Sequence, residues 1–366
     1  MKKLLVNYTG KKGGGPEFAF EMTKALTKLD LEIYVIISKK VSNIHEWRRL
    51  KVKRLIEIDT YNNLIELFFI WLKYLFFNIQ SKYRLPSRID YIFVPMEQPL
   101  TKTINNWFKG AKVFLTIHDV EPHSGDNLVF RLFNGMLNYK IKNFSYKIIL
   151  LSNVFIKKYS EKYRFKENNI IVLKHGLFNN ISNTASASLP FKYKSKINFI
   201  FFGRISEYKG IDILLEGFYE YLNNNSEASL TIAGAGDMEK YKPMIKKIPK
   251  INIFNWWLSD GEIKSLFELP NSVLITPYRD ASQSGVITLA NLFHIPVISS
   301  NVGGLIEQVL DNYSGLLFTN GNTKELVSKM ELIQDHNIAT FLTNNAYKDL
   351  ISAWDYNAKI LFELMK

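Results

Sequence analysis

The sequence predicts an α/β fold built from two doubly wound units. Apolar runs of strand length alternate with stretches of helical length along almost the whole chain. The alternation breaks once, at residues 178–190, and then restarts. Glycines, cations and helix-start signals gather where the strands stop, which is where an open parallel sheet holds its ligand. With 366 residues, two domains of ordinary size are expected rather than one.

In the first half the strand-length runs are Leu4–Tyr8, Ile33–Ile37, Tyr91–Val94, Val113–Ile117, Lys147–Leu151 and Ile170–Leu173. Between them lie Pro16–Leu29, Asn63–Gln80, Asn127–Phe144 and Asn153–Tyr163, each long enough for a helix. Residues 178–190 (FNNISNTASASLP) are small, polar and aperiodic and close with proline, the signature of a linker. Strand signals resume at Ile197–Phe202, Leu230–Ala233, Ile251–Phe254, Val273–Ile275, Val297–Ser299 and Leu316–Phe318. The reading is therefore a first domain over residues 1–190 and a second over 191–350. Ser352–Met365 is helical in pattern and carries Trp354, Ile360, Leu361 and Leu364; this C-terminal stretch, 351–366, is able to pack on either domain, including back on the first.

Hydrophobic residues make up 47% and charged residues 22%, a globular balance. No cysteine is present, which excludes disulfides, thiolate zinc sites and a cysteine nucleophile, and suits an intracellular, cytoplasmic location. The apolar part of Met1–Tyr8 is too short for a signal peptide and reads as a first strand. The net charge of +13 is uneven: +15 over residues 1–190 and −5 over 197–366. A basic half invites a polyanionic partner, such as an anionic membrane surface, a lipid phosphate or a nucleic acid. A plain solubility role is the alternative. Leu64–Ile79 is the greasiest stretch, and it falls short of the roughly 20 residues of a spanning helix. Its spacing reads as a buried core helix; its density of Phe, Trp and Tyr also suits a bilayer interface. Any membrane contact would be peripheral, at the inner face of the plasma membrane.

Four clusters carry chemistry. Arg204 and Lys209 follow the strand Ile197–Phe202, and Lys209-Gly210 opens a helix; guanidinium and ammonium there could hold a diphosphate without a metal. Ser284-Gly285 starts a helix after Pro277-Tyr278, so its amides could bind an anion, while Ser284 could also serve as an N-cap. Gly13-Gly14-Gly15-Pro16 lies between a strand and a helix and suits close approach to a phosphate, although it is neither GxGxxG nor GxxxxGK[ST]. His118-Asp119 ends the strand Val113–Ile117, with Glu121-Pro122-His123 beyond; titratable groups at a strand's carboxyl end are site candidates. Asp-x-Asp, a pair suited to holding a divalent ion, does not occur, so neither a metal nor another cofactor is expected. A serine hydrolase reading lacks GxSxG.

Together these clusters resemble glycosyltransferase family 4, retaining enzymes of the GT-B fold. The matching text is GGGPEFAFEMTKAL, TIHDVEPH, KHGLF, FFGRISEYKGIDILLEGF, LTIAGAGD and PYRDASQSGVITLANLFHIPVISSNVGGLIEQVL. The resemblance implies two Rossmann-like domains facing a central cleft, with a nucleotide-sugar donor held mainly by the second. It implies that Arg204 and Lys209 bind the diphosphate, that Ser284 and Gly285 touch it through amides, and that Asn255 and Trp256 lie by the nucleobase. Gly14 and Gly15 would stand between donor phosphate and acceptor, and His118 near the transferred sugar. It also implies transfer with retention, by front-side attack helped by the departing phosphate.

One departure stands out. The family commonly carries two glutamates separated by seven residues, and those positions fall on Ala281 and Leu289. Asp280 or Gln283 would then serve the sugar hydroxyls instead. The expected activity is a metal-independent glycosyltransferase that acts on a lipid-linked or surface-polysaccharide acceptor. A nucleotide-sugar epimerase of the same fold needs carboxylate acid/base groups, and the missing glutamates weigh against it. A nucleic-acid-binding protein is suggested by charge alone, without a recognised motif.

Overall fold

The computed structural model describes residues 1–76, 85–120 and 145–366, together with Leu132 and Met136. The chain divides into two compact units. One comprises Met1–Val120, residues 145–174 and Trp354–Lys366; the other comprises His175–Ala353.

The first unit is built on a seven-stranded sheet: β1 (Lys2–Tyr8), β2 (Leu31–Ser38), β3 (Arg54–Ile58), β4 (Tyr91–Val94), β5 (Lys112–Ile117), β6 (Lys147–Leu150) and β7 (Ile170–Val172). The strand order is β3-β2-β1-β4-β5-β6-β7, and every pairing is parallel. Strands covered on both faces bury consecutive residues, which is why they read as unbroken apolar runs. Leu4, Leu5, Val6, Val35, Ile36, Ile37, Phe93 and Leu115 are all fully buried. The order reverses direction between β1 and β4, which makes that pair the switch point of the sheet.

The second unit repeats the plan with six strands: β8 (Ile197–Phe202), β9 (Ala228–Ala233), β10 (Ile251–Phe254), β11 (Ser272–Thr276), β12 (Val297–Ser300) and β13 (Leu316–Phe318). Their order is β10-β9-β8-β11-β12-β13, again parallel throughout, with the switch point between β8 and β11. Phe199, Phe201, Leu214, Leu215, Phe218 and Leu274 fill its core.

Several expectations need correction. The strand β3 was not anticipated; its Arg54-Leu55-Ile56-Glu57-Ile58 is half-exposed at the sheet edge, so its apolar signal is diluted. Pro16–Leu29 begins and ends earlier, as the helix Gly14–Leu26. Asn127–Phe144 and His123 lie outside the described residues, apart from Leu132 and Met136, which are helical and exposed. The stretch read as a linker, 178–190, is docked on the second unit. It contains the short helix Asn179–Ser182, and Ile181 and Leu189 enter the core. Its backbone is held by Ala187 N–H donating to Gly261 O (3.0 Å) and by Lys264 Nζ donating to Ser182 O (2.8 Å) and Thr184 O (2.9 Å). The chain accordingly changes unit between Lys174 and His175, ahead of the boundary read near residue 190.

The C-terminal helix Ala353–Glu363 joins the first unit from Trp354 onward. Trp354 meets Phe18 edge-on at 5.3 Å, Lys28 pairs with Asp355 at 2.6 Å, and Asn357 Nδ2 donates to Lys174 O at 2.7 Å. The greasy segment forms the helix Leu64–Phe76, but the core reading holds for one face only. Leu67 and Tyr74 are buried, whereas Ile65, Phe68, Phe69, Leu75 and Phe76 are exposed. Among the described residues no helix is long and apolar enough to cross a membrane.

Candidate active site

The site of the second unit grows from its switch point. β8 and β11 lie side by side, so the segments that leave their carboxyl ends, 203–210 and 277–284, are neighbours. Gly210 makes the contact possible. It sits at φ 65°, where a side chain is strained, and a Cβ there would stand 1.9 Å from the Pro277 carbonyl oxygen. The Arg279 N–H donates to Tyr208 O at 2.7 Å, and the Arg279 guanidinium grips the Asp212 carboxylate through both Nη atoms. That hydrogen-bonded pair holds the Asp212 carboxyl below its ordinary range and the guanidinium above its own.

This clamp fixes Lys209. Its ammonium lies 3.5 Å from the centroid of the Tyr278 ring and 5.0 Å from that of Tyr208. The quadrupole of the ring face attracts the cation. Tyr278 is fully buried, and burial pushes its hydroxyl up to about 12, so the phenol is neutral at physiological pH. Its Oη lies 3.4 Å from Ser284 Oγ. Arg204, on the same loop as Lys209, is exposed.

Ser284 occupies the position before the helix Gly285–Leu292, but its side chain makes no capping hydrogen bond, so the N-cap reading is not realised. Among the described residues no side chain caps the first amides of this helix, and the positive end of a helix dipole favours an anion. The Ser284 backbone is held from elsewhere. Gln308 Oε1 accepts from Ser284 N–H at 2.6 Å, and Gln308 Nε2 donates to Ser284 O at 3.2 Å. Gly285 is required by packing: a Cβ would meet Phe178 Cε2 at 2.8 Å.

The ends of β9 and β10 complete the rim. Gly234 lies at φ 141°, and a Cβ there would stand 1.9 Å from Gly203 O; only glycine lets the two chains approach so closely. Asn255 Oδ1 accepts from Gly236 N–H at 3.1 Å and so ties β10's end to the Gly234–Gly236 turn. Trp256 is 39% exposed, with Nε1 donating to Glu262 Oε1 at 3.1 Å; Trp257 beside it is 56% exposed. Both offer aromatic surface to solvent. Asp280 is exposed and Gln283 half-buried in the loop ahead of Ser284. Ala281 and Leu289, by contrast, belong to the hydrophobic core. Ala281 O accepts from Gly304 N–H at 3.0 Å, which pins that position inward.

The remaining candidates belong to the first unit. Gly14 and Gly15 form the first turn of the helix Gly14–Leu26, which follows β1 at that sheet's switch point. His118 follows β5 and is buried, with its ring edge-on to Phe18 at 4.9 Å. His118 Nε2 lies 2.8 Å from the Pro95 carbonyl oxygen. A carbonyl only accepts, so the proton resides on Nε2 and Nδ1 is the acceptor nitrogen. Burial lowers the ring's pKa below its ordinary value, favouring the neutral form.

The structure thus gathers Arg204, Lys209, Asn255, Trp256, Asp280, Gln283, Ser284 and Gly285 at the carboxyl end of one sheet. Gly14, Gly15 and His118 stand at the carboxyl end of the other. Sequence reasoning missed Gln308 and the Arg279–Asp212 pair. No local motif marks a glutamine 24 residues from its partner, or an arginine 67 residues from its carboxylate.

Two Rossmann-like units, each an all-parallel sheet with its candidate site residues at the carboxyl ends of the strands, make this a GT-B fold. Residues 185–349, which hold the whole site of the second unit, match the family model described as glycosyl transferases group 1. A protein encoded in the cps region of Klebsiella pneumoniae is 31% identical over 146 residues, covering 40% of this chain and 38% of its own. The capsular polysaccharide biosynthesis glycosyltransferase CapM of Staphylococcus aureus is 24% identical over 261 residues, 64% of each chain. The matches to curated relatives span between 38% and 64% of those proteins' lengths. Among solved structures, Anabaena HepE in complex with UDP and glucose superposes with a TM-score of 0.71 at 16% identity, covering 100% of this chain and 99% of its own.

Proposed function

We propose that this protein is a retaining, metal-independent glycosyltransferase. In this reading it moves a sugar from a nucleoside diphosphate donor to a lipid-linked or surface-polysaccharide acceptor. The observation that carries it is the Lys209 ammonium seated on the Tyr278 ring, across the β8/β11 switch point from the uncapped helix start at Gly285. Support also comes from the group 1 match, from a relative named for capsular polysaccharide biosynthesis, and from a structural neighbour solved with UDP and glucose.

In the proposed reaction the sugar's bond to the diphosphate oxygen breaks, and a bond forms from the acceptor hydroxyl to the same anomeric carbon on the same face. The acceptor proton passes to the departing diphosphate, so no protein nucleophile is needed. Lys209 and Arg204 neutralise the charge that grows on the leaving group, and the amides at Ser284 and Gly285 add fixed dipoles. Asn255 and Trp256 bound the nucleobase. Asp280 and Gln283 take the sugar hydroxyls in place of the carboxylates that Ala281 and Leu289 lack. Gly14 and Gly15 leave room between phosphate and acceptor. His118, with Nε2–H committed to Pro95, stands near the transferred sugar.

A melting-temperature panel of UDP-, GDP-, ADP- and dTDP-sugars should show one donor that stabilises the protein by mass action. With that donor and an acceptor, Lys209→Ala should reduce turnover about 10²–10³-fold, as loss of one preorganised charge does elsewhere. EDTA should leave the rate unchanged, and NMR of the product should show the donor's anomeric configuration. Inversion of that configuration, or full activity in Lys209→Ala, overturns the mechanism.

A further inference from the structure

The helix Leu64–Phe76 is apolar on both sides, yet the described residues cover only one. Leu67 and Tyr74 face the core, with Ile70 and Trp71 packed beside them. Ile65, Phe68, Phe69, Leu72 and Phe76 follow the i, i+3, i+4, i+7, i+11 spacing of a single stripe on the opposite side. Ile65 is 71%, Phe69 64% and Phe76 82% exposed. Glu66 and Lys73 lie off the stripe, and Lys73 is paired with Asp59 at 3.5 Å. At 13 residues the helix is about 20 Å long, enough to lie along a surface and too short to cross one.

We propose that this stripe is a docking surface for an anionic lipid bilayer, in which the helix lies parallel to the membrane with its aromatic side chains among the headgroups. Charge selects this occupant. Residues 1–174 carry a net +15, which draws the unit to anionic headgroups and opposes pairing with a second copy that carries the same charge. The proposal does not rest on the transfer reaction.

The test is co-sedimentation of the full chain with vesicles of phosphatidylcholine alone or of equal parts phosphatidylcholine and phosphatidylglycerol. The expected result is partition onto the anionic vesicles at low salt, weakening as salt rises. The triple variant Ile65→Ser, Phe69→Ser, Phe76→Ser should lose at least about tenfold in partition, because binding scales with buried apolar area. The three side chains are solvated in the free protein, so the melting temperature should be unchanged. Wild type that stays in the supernatant, or a variant that sediments as well as wild type, refutes the proposal. A concentration-dependent dimer abolished by the same substitutions, without vesicle binding, assigns the stripe to a second copy and refutes it equally. A nucleotide-sugar melting shift, measured in both proteins, reports on the proposed reaction separately.

Discussion

Gly210→Ala tests how tightly the two loops of the candidate site are joined. The new methyl would meet Pro277 O at 1.9 Å, more than 1 Å short of the 3.0 Å that real Cβ contacts keep. The obstacle is backbone, so it cannot rotate aside. Forcing alanine to φ 65° adds about 1–2 kcal/mol of left-handed strain. Relief requires the 203–210 segment to move away from 277–279 by about the missing distance, which stretches the Arg279–Tyr208 hydrogen bond and lifts Lys209 off the Tyr278 ring. The total cost should be about 3 kcal/mol or more, in the range of mutations that create backbone strain. A displacement near 1 Å at a charge-stabilising group should lower turnover about 100-fold. The assays are thermal melting and steady-state transfer with the donor found by the nucleotide-sugar panel. A variant that keeps its melting temperature and its rate would show that Gly210 does not hold Lys209 in place, and the electrostatic argument for the site would lose its geometric support.

Gln308→Leu should destabilise the protein by about 1–3 kcal/mol and weaken donor binding, because it strips both partners from the buried Ser284 backbone; unchanged donor affinity in a melting-shift titration would contradict a positioning role. For Arg279 and Asp212, a double-mutant cycle on transfer rate should show coupling, with either single Ala variant losing most of what the double variant loses; additive losses would mean that the pair does not act as a unit. His118 gives a pH signature. Its folded pKa lies below the ordinary 6.5 of the unfolded chain, so the unfolded state takes up the proton first and stability falls as pH drops through that value. The melting temperature of His118→Asn should fall less than that of wild type between about pH 7 and pH 5; parallel curves would place the titration elsewhere.

The alternation of apolar runs foretold both sheets because parallel strands are buried on both faces, and twelve of their strands announce themselves as such. Arg54–Ile58 does not, because charges at an edge strand erase the run. The segment 178–190 shows where composition misleads. Its small polar residues suggest a tether, yet two apolar residues, Ile181 and Leu189, are enough to seat it. Spacing in Leu64–Phe76 established a helix but not which side the fold would cover, since both sides are apolar. At the site, the glycines and cations at strand ends were legible because a local backbone need leaves a local trace. Gln308, Arg279 and Asp212 act through long-range hydrogen bonds between ordinary polar residues, and such pairings leave none.

The return of Trp354–Lys366 to the first unit has a consequence for biogenesis. On the ribosome, His175–Ala353 emerges as one continuous piece and can close on its own. The amino-terminal half waits with Phe18 lacking Trp354 and the Lys174 carbonyl lacking Asn357 until Trp354 and Asn357 leave the exit tunnel. At 5–20 residues per second that interval is about 10–40 s. The part translated first is the part completed last, and nascent chains truncated before Trp354 should be captured by chaperones through their amino-terminal half.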